Sequence, residues 1–345
     1  MIKETFITII IPTYNSEKTL PLVLESVLNI NYEKKLIKVV IIDDASKDRT
    51  FEIADDFRRK YSHAFHSVEV IRLQERVTTS KARNEGVKRA IQDSYLLFLD
   101  SDVILKTSTI NDLLSILKHH KEVGAVGALY LTSNPSLFEK VMWFRYLDKV
   151  SEGPAGTGAL LVRPEVFERV GFFNENLGYP KTIYEDLEYT MRIRKAGYRV
   201  LIDGRNPLLH LKLVEKHKFS KREKFLSILN SIVKHLASYL SPTKAYALSC
   251  VLRVAPLKYK VEYAVYMILI LSLMVLSIVS IEFSLLISGA LILASSLWSL
   301  SVYGSELGFA LRVLGGPAVL ISRLLRALSL IVYPLIAILQ QKIQP

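Results

Sequence analysis

Short apolar, β-branched runs recur at residues 6–11, 37–42, 68–73, 95–99 and 123–129, and longer amphipathic stretches fill the gaps between them. Runs that are apolar almost throughout, rather than at every second position, belong to strands covered on both faces. Between them, "EKTLPLVLESVL" sets Leu20, Leu24 and Val27 at helical spacing, and "SKARNEGVKRAI" does the same with Ala82, Val87 and Ile91. Asp48 and Ser80 are the expected helix N-caps. Strands and helices alternating in this way predict an α/β domain, a Rossmann-like parallel sheet clad in helices. Further on, "GTGALLVRPEVFERVGFF" reads as loop, strand and short helix, and "YEDLEYTMRIRKAGYRV" as a helix followed by a strand.

In such sheets ligands bind beyond the carboxyl ends of the strands. The polar clusters fall there: Pro12-Thr13-Tyr14-Asn15 after the first run, Asp43-Asp44 after the second and Asp100-Ser101-Asp102 after the fourth. One rim therefore collects all three. In "LLFLDSDVIL" a buried strand ends on two carboxylates, a costly arrangement unless a cation sits between them. Mg²⁺ or Mn²⁺, which takes oxygen ligands and bridges to phosphates, fits Asp100 and Asp102. The plain alternative is a helix-capping Asp-x-Asp. Asp43 and Asp44 read as a strand-to-helix turn or as acceptors for a nucleobase imide or a ribose hydroxyl. Tyr14 is placed to stack on a base, and Arg83, with Lys81 nearby, to contact base or diphosphate. Glu185-Asp186 opens a helix, as a cap and dipole partner or as a general base that takes a hydroxyl proton.

The remainder of the chain is different in kind. Residues 263–281 and 283–305 carry no charge, and Glu282 alone separates them. Each run is long enough to span a hydrocarbon core about 30 Å thick. The net charge is +12, yet residues 261–345 hold only four Lys/Arg against three acids. Eleven Lys/Arg crowd residues 210–260, among them Lys216, Lys218, Lys221, Arg222, Lys258 and Lys260, in helical amphipathic stretches such as "KREKFLSILNSIVKHLASYL". A basic collar beside a span marks a cytoplasmic face and favours anionic lipid. No nucleic-acid motif accompanies the charge. Arg312, Arg323 and Arg326 suit an interfacial helix broken at Gly315-Gly316-Pro317, which leaves two to four crossings open. Cys250 is the only cysteine, so an internal disulfide is excluded. The apolar run near the N-terminus is too brief for a signal peptide, so residues 1–260 are expected in the cytoplasm. The expected organisation is a catalytic domain over 1–218, basic juxtamembrane helices over 219–260 and transmembrane or interfacial helices over 261–345.

"TIIIPTYNSEKTLPLVLESVL", "VVIIDDASKDRTFEIA", "SKARNEGVKRA", "LLFLDSDVIL", "GTGALLVRPEVF" and "YEDLEYTMRIRKAGY" follow one another in an order and at intervals that resemble glycosyltransferase family 2, over roughly residues 5–215. The resemblance implies the GT-A fold of inverting nucleotide-sugar transferases and a Mn²⁺ or Mg²⁺ cofactor. It implies that Pro12, Thr13, Tyr14 and Asp43 hold the donor nucleotide, with Arg83 near its base or diphosphate. Asp100 and Asp102 would bind ribose and metal, Asp102 directly, and Asp186 would be the base. His210 matches a histidine that completes the metal site in many members, though a strand histidine with no such role fits equally. Processive synthases carry Gln-x-x-Arg-Trp after the Glu-Asp segment; neither Trp143 nor Trp298 sits in that context, which favours one transfer per encounter. Polyprenyl-phosphate hexosyltransferases typically lack the Glu-Asp segment, so its presence points to a hydroxyl acceptor on a membrane-associated, lipid-linked glycan. The rival readings are a polyprenyl-phosphate hexosyltransferase, a nucleotidyltransferase and a non-catalytic membrane scaffold.

Overall fold

The structure is a computed structural model. It describes residues 5–132, residues 146–211 apart from 154 and 181–183, residues 242–302 apart from 256 and 280, and the isolated positions 143, 320 and 324. The described chain forms two compact units, one holding 5–132 and 146–211, the other the residues from 242 onward.

In the first unit β1 (Ile7–Thr13), β2 (Ile37–Asp43), β3 (Ser67–Arg72) and β4 (Tyr95–Leu99) run parallel in the order β3-β2-β1-β4. All seven residues of β1 are buried, as its unbroken apolar run requires. Three helices cross between these strands: α1 (Leu20–Leu28), α2 (Thr50–Tyr61) and α3 (Thr79–Val87). α1 buries Leu20, Val23, Leu24 and Val27, the i, i+3, i+4, i+7 stripe of an amphipathic helix. Each such Leu or Val contributes roughly 1.5–3 kcal/mol by leaving water.

The expected N-caps resolve differently. Asp48 is not the N-cap, a position that Arg49 takes without a side-chain bond; one residue earlier, Asp48 accepts from the Thr50 N–H (3.0 Å) and from the Glu17 N–H (3.2 Å), so it ties two loops at the start of α2. Ser80 is not a cap. α3 starts earlier, because Thr78 takes the extended backbone of a cap and its Oγ1 accepts from the Lys81 N–H.

Beyond β4 the chain makes β5 (Val103–Ile104), α4 (Thr109–His119), β6 (Val123–Thr132), β7 (Val150–Glu152), β8 (Ala159–Val162), α5 (Pro164–Val170), α6 (Glu185–Lys195) and β9 (Arg199–His210). β8 inserts antiparallel between β4 and β6, β9 runs parallel to β6, and the short β5 and β7 pair antiparallel with β9. The nine strands form one sheet.

Register fixes the rim. Thr13 lies opposite Asp43, and the Asp44 N–H donates to the Thr13 carbonyl (2.8 Å). His210, the last residue of β9, lies opposite Val103, so it reaches the residue just before, Asp102.

The second unit contains α7 (Pro242–Val254), α8 (Leu257–Val279) and α9 (Ile281–Val302). Exposed apolar side chains line α8 at Leu257, Val261, Val265 and Ile268, and α9 at Ile292, Leu293 and Leu297. Among the described residues no helix is long and apolar enough to cross a membrane. The expected spans over 263–281 and 283–305 are therefore not supported here. Most of the expected basic helices of 219–260, and the segment with Arg312, Arg323 and Arg326, lie outside the described residues.

Candidate active site

The loops after β1 and β2 are laced together. Asn15 and Ala45 adopt left-handed backbone (φ 49° and 56°), which turns each chain sharply at its strand end. The Asn15 N–H donates to Ser46 Oγ (2.9 Å), and the Lys47 N–H returns a bond to Asn15 Oδ1 (2.9 Å). The Ser16 and Ser101 hydroxyls share a bond of 2.9 Å, which joins these loops to the Asp100-Ser101-Asp102 turn.

Asp43 is wholly buried. Its Oδ1 accepts from the Ser46 N–H (3.3 Å), and Arg72 Nε lies 3.3 Å from Oδ2. Burial outweighs those partners and raises its pKa. Burial likewise pushes Asp44 up to about 6, although the Val77 N–H donates to it (2.7 Å) and Arg76 is near. A pocket of about 650 Å³ opens beside them, lined by Tyr14, Ala45, Lys47, Arg72 and Arg76 among others. Tyr14 does not offer a bare ring to it. The Arg76 guanidinium covers that ring at 3.7 Å and lies 4.9 Å from the Tyr179 ring.

Arg83 departs most from its expected role. It is buried in α3, with Nη2 donating to Asp100 Oδ1 (2.8 Å) and Nη1 to Glu185 Oε1 (3.3 Å). Burial opposes the charge, but Asp100 and Glu185 overcome it and hold the guanidinium above its ordinary pKa. Arg83 is thus a clamp between two acidic motifs. Lys81 supplies its N–H to the Thr78 cap.

Glu185 also accepts from Thr79 Oγ1 (3.2 Å), so it positions the turn into α6. Tyr184, just before it, has left-handed backbone (φ 72°), an unfavourable conformation for a large side chain that marks a constrained turn. Asp186 Oδ1 accepts from the Leu187 N–H (2.7 Å), which leaves Oδ2 to act. Burial first, then the Glu185 charge, pushes the Asp186 carboxyl up to about 7. A base with that pKa is half ionised at neutral pH.

The acidic turn splits. Asp100 faces Arg83; burial raises its pKa, Arg83 counteracts this and Asp102 adds to it. Asp102 Oδ2 instead lies 3.1 Å from His210 Nε2, and the Leu211 N–H donates to the Asp102 carbonyl (2.7 Å). Among the described residues no three His, Cys, Asp or Glu side chains converge as a metal cage. Of the expected trio, Asp102 lies against His210, while the Arg83 guanidinium holds Asp100. One carboxylate oxygen and one imidazole nitrogen still suit a hard cation completed by phosphate oxygens.

Tyr130 went unread in the sequence. It projects from β6, its ring edge-on to His210 (5.5 Å, 76°), and burial followed by the Asp100 and Asp186 charges drives its phenol pKa up. The glycines of "GTG", which mark close backbone approach, were its signal.

The Glycosyl transferase family 2 model matches residues 8–180. Poly-beta-1,6-N-acetyl-D-glucosamine synthase of Staphylococcus aureus (strain COL) is 29% identical over 206 residues, 56% of this chain and 47% of the relative. That of Staphylococcus epidermidis is 26% identical over 211 residues, covering 58% and 48%. The chain thus spans about half the length of the curated relatives it matches. Mannosyltransferase PcManGT from Pyrobaculum calidifontis, solved with GDP-Man and Mn²⁺, aligns with TM-score 0.51 at 17% identity, over 93% of this chain and 86% of that one. S. aureus TarS 1-349, solved with UDP-GlcNAc, aligns with TM-score 0.50 at 17% identity, over 96% and 92%. At such identities these structures speak for the GT-A fold alone. With the family match spanning half its length on that α/β sheet, the chain belongs to glycosyl transferase family 2 and is a glycosyltransferase.

Proposed function

We propose that the protein is a metal-dependent inverting transferase that moves a sugar from a UDP- or GDP-sugar to a hydroxyl of a membrane-associated, lipid-linked glycan. The observation that carries this reading is Asp186. It is a carboxylate at the start of a helix, anchored through one oxygen, with no hydrogen bond to the other among the described residues and a pKa pushed up to about 7. A phosphate acceptor is already ionised and needs no such base; a hydroxyl does. In the displacement Asp186 Oδ2 takes the hydroxyl proton as the acceptor oxygen bonds to the anomeric carbon. The bond from that carbon to the diphosphate oxygen breaks on the opposite face, and the nucleoside diphosphate leaves with its electron pair. Asp43, Asp44 and the Lys47/Arg72/Arg76 pocket bind the nucleotide. Asp102 and His210 would hold the Mn²⁺ or Mg²⁺, which offsets charge on the departing diphosphate. The PcManGT and TarS ligands support the donor class.

The names of the curated relatives favour a second reading, a polymerising synthase. The absent Gln-x-x-Arg-Trp motif favours the first. The uncharged runs after residue 262 and the exposed apolar side chains of α8 support attachment to the cell membrane, the catalytic unit facing the cytoplasm.

The test is a thermal-shift screen of UDP- and GDP-sugars with and without Mn²⁺, coupled to assay of the released nucleotide. Stabilisation that needs metal, and release of a nucleoside diphosphate, are expected. Release of inorganic diphosphate from a nucleoside triphosphate would establish a nucleotidyltransferase instead. Transfer to polyprenyl phosphate that survives Asp186→Asn would establish the polyprenyl reading. A chain that binds no nucleotide is a scaffold.

A further inference from the structure

We propose that Ser16 and Ser101 are positioning residues for the transfer, their hydroxyl pair coupling the nucleotide loop to the acidic turn; this rests on Asp102 holding the cation and the loop after β1 holding the donor. The Ser16 and Ser101 hydroxyl oxygens lie 2.9 Å apart, across 85 positions of sequence. Ser16 Oγ also lies 3.2 Å from the Tyr14 carbonyl oxygen, which can only accept. Ser16 therefore donates to Tyr14, and Ser101 donates to Ser16. The two hydroxyls make a relay from the middle of Asp100-Ser101-Asp102 to the backbone of the residue expected to meet the base.

Ser16 is a fixed post. It is buried, its N–H donates to Thr50 Oγ1 (2.6 Å), and its carbonyl accepts from the Leu20 N–H (2.8 Å) at the start of α1. The backbone that carries its hydroxyl is thus held at both ends. The acidic turn is gripped through its side chains, each from a different element: Asp100 by Arg83 of α3, Asp102 by His210 of β9, and Ser101 by Ser16. Of these three grips, the one on Ser101 reaches the nucleotide loop. A donor seated against Tyr14 orders that loop, and the relay carries the order to the turn that meets the cation. A pair that merely stapled two loops would add stability without linking the two ligands.

Full-length wild type, Ser16→Ala, Ser101→Ala and the double variant are titrated by calorimetry with UDP and GDP, with and without Mn²⁺. The ratio of the Kd without metal to the Kd with metal measures the coupling. Wild type binds one of the two nucleotides more tightly when Mn²⁺ is present. Each single variant lowers that ratio about two- to tenfold, the effect of one hydrogen bond, at unchanged metal-free Kd. The double variant loses no more than either single. Melting curves check folding separately; should Ser16→Ala unfold, Ser101→Ala, which removes the more exposed hydroxyl, decides the question. A wild-type ratio in the folded variants, additive losses in the double, or a weakened metal-free Kd overturns the inference while leaving the metal site in place. A wild type that binds neither nucleotide, or binds them equally well with and without Mn²⁺, removes the metal-dependent reading and the inference with it.

Discussion

Replacing Arg83 with methionine keeps the bulk of a buried side chain and removes the charge that two acidic motifs share. The Arg83 side chain is 3% exposed, Glu185 16% and Asp100 34%. Removing one partner of a fully buried ion pair costs about 3–5 kcal/mol. A third of Asp100 reaches water, which takes over part of the lost interaction, so the lower end applies, about 3 kcal/mol. For a domain of this size that corresponds to a fall in Tm of about 6–12 °C.

The loss also depends on pH. Burial raises the Asp100 pKa and Arg83 counteracts it, so without Arg83 the pKa climbs further. A carboxyl with a raised native pKa holds a proton that the unfolded chain has released, so its contribution to stability falls as pH rises through the native value. The deficit of Arg83→Met should therefore widen from pH 5 to pH 8, and Asp100→Asn in that background should recover part of it. Melting of the full-length chain, followed by intrinsic fluorescence at both pH values, measures this. An Arg83→Met chain that melts within about 2 °C of wild type at both would refute the clamp.

Asp186 must shed its proton to act, so kcat/KM should rise through pH 7, close to the value to which burial and Glu185 push it, about 7. A flat profile for nucleotide release between pH 5 and 9 contradicts that. For stability the sign reverses: between the ordinary carboxyl range and about 7 the native chain keeps a proton that the unfolded chain loses, so Asp186→Asn should melt above wild type at pH 8 and by less at pH 5. Gly156→Ala should cost about 1–3 kcal/mol through its collision with the Tyr130 hydroxyl, and Tyr130→Phe should restore part of that loss. Melting curves for the two single variants and the double decide it, and strictly additive losses refute the contact.

What the sequence discloses is set by the range of the forces involved. Burial on both faces leaves a mark at every strand position, so β1, β2 and β4 and the rim beyond them could be read directly. Asp102 with His210 could be reached through the resemblance, and the β5–β9 pairing explains it. The choice of ion-pair partner leaves no local mark. Arg83 meets Glu185 102 positions away, and a basic residue in a polar helical turn reads as a ligand for phosphate until the fold shows it buried. Ser80 failed as a cap for a local reason, since Thr78 offered the same hydroxyl at the residue where the backbone becomes extended. Tyr130 failed for the opposite one: its neighbours are two glycines whose message is an absent side chain, and absence does not say which residue fills the gap.

Arg83 spends one end of its guanidinium on the acidic turn and the other on the Glu-Asp turn, so the segment expected to carry the metal and the segment carrying the base share a cation. A change in the charge of Asp100 must then alter the hold on Glu185, and through it the strained turn at Tyr184 that presents Asp186. Donor binding that draws Asp100 toward a ribose or a metal would loosen that clamp and reset the base. Nucleotide binding should therefore shift the apparent pKa of the acid limb in the wild type and leave it unmoved in Arg83→Met. Equal shifts in both would mean that the two acidic turns act independently.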